Sequence, residues 1–211
     1  MSVTPVPAKP FLSAESPRRS VTAIERPQPP QSSRASLEFH KGAVSIRRHP
    51  VRRGGFLLET EQWFPRPRSE VFDFFADAAN LEAITPRFLH FQIVTPLPIQ
   101  MRPGALIDYR LSLHGVPIRW RTEIAAWEPP VRFIDQQLRG PYRYWIHEHS
   151  FTDRDGGTLV KDSVSYAVPG GRLIHWMVVK RDLQTIFGWR RLTLENFFSP
   201  QPIENNPVAS Q

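Results

Sequence analysis

The chain contains no cysteine. Disulfides and thiolate chemistry are therefore excluded, and secretion gains no support. No apolar run approaches the ~18–20 residues that span a bilayer, and the N-terminus lacks the apolar stretch of a secretory signal peptide. Phosphate-cradling loops are missing too, since neither GxGxxG nor GxxxxGK[ST] occurs. GxSxG and HExxH are likewise absent. Acidic residues are scarce at one end only. Residues 1–54 carry ten basic groups against three acidic ones, which accounts for the whole net charge of +7. The other 157 residues hold seventeen Lys/Arg and seventeen Asp/Glu. The basic footprint of a nucleic-acid surface is thus missing from the rest of the chain, and no nucleic-acid partner is expected.

Residues 1–54 are also poor in aromatics, with only Phe11 and Phe39, and hold eight prolines. Such a segment buries too little apolar surface to offset ordering its backbone. A disordered basic tail is expected over 1–54, and a flexible tail over 201–211. The Arg- and Ser-rich, acid-poor composition of 1–54 also fits a transit peptide, against the plainer readings of a solvated tail or a gene start placed too early. The placement expected is cytoplasmic, or organellar if the tail is a transit peptide.

What is present after residue 54 is regular patterning. "FLLETEQWF" (56–64) reads as an edge strand. In "PRPRSEVFDFFADAANLEAITP" (65–86), Ser69 is placed to cap a helix with a Val71, Phe72, Phe75 face, and Asn80 starts a second short helix. Six strand-like runs follow, at 88–94, 105–113, 116–127, 131–138, 143–151 and 158–168, joined by Gly- and Pro-rich turns. Residues 171–198 form one long helix whose stripe is Leu173, Trp176, Met177, Lys180, Leu183, Phe187, Arg190, Leu194, Phe197 and Phe198. Strands joined by short turns make an antiparallel meander, so the class is α+β with a sheet of about seven strands. The long helix is the only element able to cover it, and a curved sheet around one helix leaves a space between them.

This order of elements resembles the helix-grip fold of the START-like, or SRPBCC, superfamily. That group includes polyketide cyclases and dehydrases, coenzyme-Q-binding proteins, lipid-transfer START domains and the birch-pollen allergen family. The resemblance covers residues 56–198, and "FDFFADAANLEAITP", "FIDQQLRGPYRYWIHEHSF" and "VKDSVSYAVPGG" are similar to the bacterial cyclase/dehydrase branch. It implies a domain over 55–200 that binds or transforms an apolar molecule.

Strand parity gives the expected lining. In "GPYRYWIHEHSF" (140–151), Trp145, His147, His149 and Phe151 share one face. On the following strand Thr158, Val160, Asp162, Val164 and Tyr166 share another, mostly apolar, which places Asp162 inward. His147, His149 and Asp162 are the candidate catalytic residues, a carboxylate-oriented imidazole being able to move a proton. Tyr109, Trp120, Thr122, Phe133, Asp135, Gln137, Trp145, Tyr166 and Phe187 are the candidate ligand-binding residues. Three readings of the polar group compete: a structural His–Asp network, the orienting corner of an apolar pocket, and a metal site. The third metal ligand is only inferred from parity, so no metal and no cofactor is expected.

The leading expectation is a module that binds a small or medium hydrophobic ligand, aromatic or isoprenoid-like. The rival is a cofactor-free cyclase, dehydrase or isomerase acting on a polyketide-like or conjugated carbonyl compound. A domain with a filled core is the third. No transmembrane segment is expected. The basic edges of the last helix leave peripheral membrane contact open, and the oligomeric state is not legible.

Overall fold

The computed structural model describes residues 34–199. The expected tails over 1–33 and 201–211 lie outside the described residues. Residues 34–54, however, are not tail. They form helix α1 (Arg34–Gly42) and strand β1 (Ser45–Arg48), which pairs antiparallel with β2 (Phe56–Phe64). Composition misled here because two inward residues suffice to anchor the segment. His40 and Val44 are buried, while Arg47, Arg48, Pro50, Arg52 and Arg53 after them are exposed. The folded unit therefore begins before residue 55, and β2 is an interior strand rather than an edge.

After β2 come α2 (Arg68–Ala76), α3 (Asn80–Ala83) and a 3-10 turn at Arg87–Leu89. The strands β3 (Gln92–Ile93), β4 (Leu106–Leu113), β5 (Val116–Glu128), β6 (Arg132–Arg139), β7 (Tyr144–Arg154) and β8 (Gly157–Ala167) follow. They make one eight-stranded antiparallel sheet in the order β1-β2-β8-β7-β6-β5-β4-β3. The expected strand over 88–94 shrinks to two residues: the 3-10 turn occupies its start and His90 is left-handed, with φ 45°.

Two hairpins explain the meander. β4 meets β5 through His114 and Gly115 (φ 51° and 79°), and β7 meets β8 through Asp155 and Gly156 (φ 49° and 74°). Positive φ at both central residues is the two-residue turn whose twist matches that of paired strands. Register shifts between β5 and β6 near Arg121 and Ala125 add curvature.

Ser69 does not cap α2. The helix already starts at Arg68, Pro67 takes the cap position without a side-chain hydrogen bond, and Ser69 lies inside the first turn. Val71, Phe72 and Phe74 are its buried residues, so Phe74 is deeper in the core than the expected Phe75.

The last helical stretch is α4 (Gly171–Ile174), a π-turn over His175–Val179 and α5 (Lys180–Phe198). Leu183, Phe187, Leu194 and Phe198 are buried, as the stripe requires, but Leu173, Trp176 and Met177 are each more than 60 % exposed while His175 is buried. The wider π-turn rotates the first residues out of phase with the rest, which a fixed 3.6-residue period could not anticipate. The far half of α5 packs with α2, β2 and β8 through Phe64, Phe74 and Phe198. The near half packs on Phe56, Leu58, Val164 and Tyr166.

Candidate functional site

Between these two packed regions the sheet and α5 do not close. A cavity of about 220 Å³ lies between β4–β7, α2–α3 and α5. Its walls are mainly apolar. Tyr109, Trp120, Phe133, Trp145 and Phe187 line it, with Thr122, Asp135, His147 and His149 supplying polar groups. Trp120 and Trp145 meet edge-to-face at 5.6 Å, and the Trp120 indole donates to the Thr122 hydroxyl at 3.1 Å.

Three candidates lie off the cavity wall. Asp162 sits behind the histidines, as described below. Gln137 turns away to hold the chain reversal after β6, donating to the Tyr142 carbonyl at 2.8 Å and accepting from its amide at 3.3 Å. Tyr166 is fully buried beneath Trp145, with its hydroxyl 2.9 Å from His175 Nε2. Parity gave the correct face in both cases but not the depth, since a side chain can face inward and still be covered or locally engaged.

The polar corner is built by strand register. Asp135 on β6 lies opposite His147 on β7, and His149 on β7 lies opposite Asp162 on β8. Directly opposite residues have Cβ atoms about 5 Å apart, so four ionisable side chains converge without any loop. His149 Nδ1 and Asp162 Oδ1 are 2.6 Å apart. His147 Nε2 stands 3.5 Å from the same oxygen. On the cavity side, Asp135 Oδ2 lies 3.6 Å from His147 Nδ1 and 3.4 Å from His149 Nε2. The Phe133 ring stacks on His149 at 4.3 Å.

Charge is divided unequally between the two imidazoles. Burial lowers the pKa of His147, and the neighbouring His149 adds to the effect, outweighing both aspartates. Burial opposes charge on His149 as well, but Asp162 and Asp135 overcome it and raise the pKa. The Asp162 carboxyl is held well below the usual range: burial works against its charge, and Arg190, His149 and His147 together outweigh that.

Arg190 is the functional neighbour that the sequence did not single out. Its guanidinium stands over the Phe75 ring, with Nε 3.6 Å from Asp162 Oδ2, and the residue lines the cavity from α5. The signal was present: Arg190 falls on the apolar stripe between Phe187 and Leu194, and a base on an inward stripe needs an inward acid.

The family model for polyketide cyclase / dehydrase and lipid transport matches residues 64–187. Comparison with curated proteins found none that matches. Among solved structures, the chain is similar to protein Ms6760 from Mycobacterium smegmatis, with 19 % identity, TM-score 0.53, and 73 % of this chain and 99 % of that chain covered. It is similar to protein CV1439 from Chromobacterium violaceum at 13 % identity and TM-score 0.54, covering 69 % and 98 %. A third is TTHA0849 from Thermus thermophilus, at 16 % identity and TM-score 0.52, covering 66 % and 98 %. At these identities the likeness is one of fold.

Proposed function

Because the chain belongs to the polyketide cyclase / dehydrase and lipid transport family, we propose that its cavity holds a small or medium hydrophobic molecule, aromatic or isoprenoid-like, with one polar end. The observation that carries this reading is the cavity itself. Its 220 Å³ is far above the ~10–15 Å³ that a single water needs, and aromatic rings form most of its wall. An apolar pocket with a few convergent polar groups orients a ligand by its polar end while the rest gains from leaving water. Thr122, Asp135, His147 and His149 are the groups that meet that end.

The test is extraction of the purified chain with organic solvent, followed by mass spectrometry and by titration of the emptied protein with an uncharged polyaromatic fluorophore. A compound recovered intact near one per chain, or saturable fluorophore binding that quenches Trp120 and Trp145, supports the reading. An extract with no compound, together with fluorophore binding that never saturates, removes it.

A second reading rests on the 2.6 Å contact between Asp162 and His149. A carboxylate fixes the imidazole so that its other nitrogen faces the cavity, the arrangement that general acid–base catalysis requires. On this reading the chain is a cyclase, dehydrase or isomerase of a conjugated carbonyl compound. His149→Ala would then abolish turnover of the extracted compound while leaving its binding within a few-fold.

A further inference from the structure

We infer that Asp135, His147 and His149 form a binding site for one divalent transition-metal ion of the zinc class, with its open coordination position facing the cavity. The sequence could not place a third ligand; the register of β6 with β7 places it. One ligand atom from each of the three residues lies within 4.8 Å of the other two. The contacts from Asp135 Oδ2, at 3.4 and 3.6 Å, are long for hydrogen bonds. They match the edges of a tetrahedron with ~2.1 Å metal bonds, which are about 3.4 Å.

The second observation is what stands behind the rings. A histidine that ligates a metal donates its other ring N–H to an outer carboxylate or carbonyl, which fixes the tautomer and aims the free lone pair. Asp162 does this for His149 Nδ1 at 2.6 Å, and it is also the acceptor nearest His147 Nε2, at 3.5 Å. One carboxylate thus turns both remaining nitrogens, His149 Nε2 and His147 Nδ1, toward Asp135. His147 is otherwise a poorly explained residue. It is 5 % exposed, its Nε2 reaches Asp162 only at 3.5 Å and its Nδ1 reaches Asp135 only at 3.6 Å, both long for hydrogen bonds, so a metal at Nδ1 gives this buried ring a close partner that it lacks among the described residues.

Two histidines and one carboxylate leave coordination positions free, as in sites where a metal polarises a carbonyl or activates water. The free side here is the cavity, lined by the same three residues. The inference does not depend on which organic compound occupies the cavity.

The experiment uses the full chain without a histidine tag, purified without metal-charged resin. Chelator-stripped protein is titrated with Zn²⁺ by calorimetry, and with Co²⁺ by visible absorption. One equivalent of Zn²⁺, a tetrahedral or five-coordinate Co²⁺ spectrum and a raised melting temperature are expected. His147→Ala and Asp135→Asn remove the equivalent and the spectrum, and Asp162→Asn weakens binding about 10–100-fold. Glu148→Ala, on the outer face of β7, leaves binding unchanged. Circular dichroism of each variant separates loss of the site from loss of the fold. The inference is overturned if folded wild-type protein takes up less than one equivalent, or if folded His147→Ala binds as the wild type does. Either result leaves the fluorophore titration of metal-free protein, and the hydrophobic cavity with it, untouched.

Discussion

Asp162 holds more of the site together than any other side chain. It accepts from one histidine, approaches the second, and faces Arg190, whose side chain is 11 % exposed. Removing its carboxylate leaves the Arg190 guanidinium buried without its counter-charge and leaves His149 only the longer contact to Asp135, which costs about 3–5 kcal/mol. Asp162→Ala should therefore lower stability by that amount in denaturant melts of the metal-free chain. Glu148→Ala, on the same strand pair but on the half-exposed outer face beside Arg132, should cost under about 0.5 kcal/mol. The reverse order would mean that β7 presents its other face to the cavity. These residues were legible from strand alternation alone, which is why His147, His149 and Asp162 were found together. Alternation says which face a side chain takes, not what it meets there. It therefore could not separate Asp135, on the cavity wall, from Gln137, engaged with Tyr142.

At the scale of the element, the π-turn before α5 carries its own titration. His175 is buried within it, stacked on Phe56 at 3.4 Å, and burial followed by the charge of Lys180 pushes its pKa down to about 4 from 6.5. In the unfolded chain the imidazole takes up a proton at a higher pH than in the folded one. Folding stability is thus fully present above pH 6.5 and declines as pH falls from 6.5 toward 4. A loss on the order of 3 kcal/mol is expected across that window. Urea melts at a series of pH values read it, and His175→Phe should flatten that part of the profile. A wild-type profile as flat as the variant's would refute the assignment. The sequence hid this element because apolar periodicity assumes a constant number of residues per turn. The two hairpins, in contrast, were readable from His114-Gly115 and Asp155-Gly156, where the backbone conformation is dictated locally.

For the whole molecule, the boundary at residue 34 changes what a minimal domain is. Val44 packs with Phe56, Leu58 and Val164, and His40 Nε2 pairs with Glu195 at 2.8 Å. A chain beginning at Gly55 exposes that cluster and leaves β2 as an unpaired edge. At roughly 1.5–3 kcal/mol per large apolar side chain uncovered, the loss is on the order of 2–4 kcal/mol. At about 3 °C per kcal/mol, the melting temperature should fall by roughly 10 °C. Scanning calorimetry of the two chains decides it, and equal midpoints would return 34–54 to the status of a tail. The overall class was open to sequence reasoning because nearly every strand carries its own pattern. The N-terminal addition was not, because its anchoring residues are few and lie amid charge.

The same addition fastens α5 along one flank. Gly188 lets α1 approach so closely that an added Cβ would sit 3.0 Å from the Lys41 amide. Arg191 adds bonds from this helix to Thr60 at 2.6 Å and to the Glu61 carbonyl. The opposite flank faces the cavity and is bordered by α3, the 3-10 turn and the β4–β5 hairpin. On this side the only described ion pair to α5 is that of His114, in the hairpin turn, with Asp182 at 2.9 Å, so a molecule leaving the interior need not lift the helix and can pass the short segments instead. Such segments move in nanoseconds to microseconds, whereas prying a helix from its sheet is orders of magnitude slower. On the proposed binding role, residence time is then set by how tightly the guest is held, not by how often these segments part.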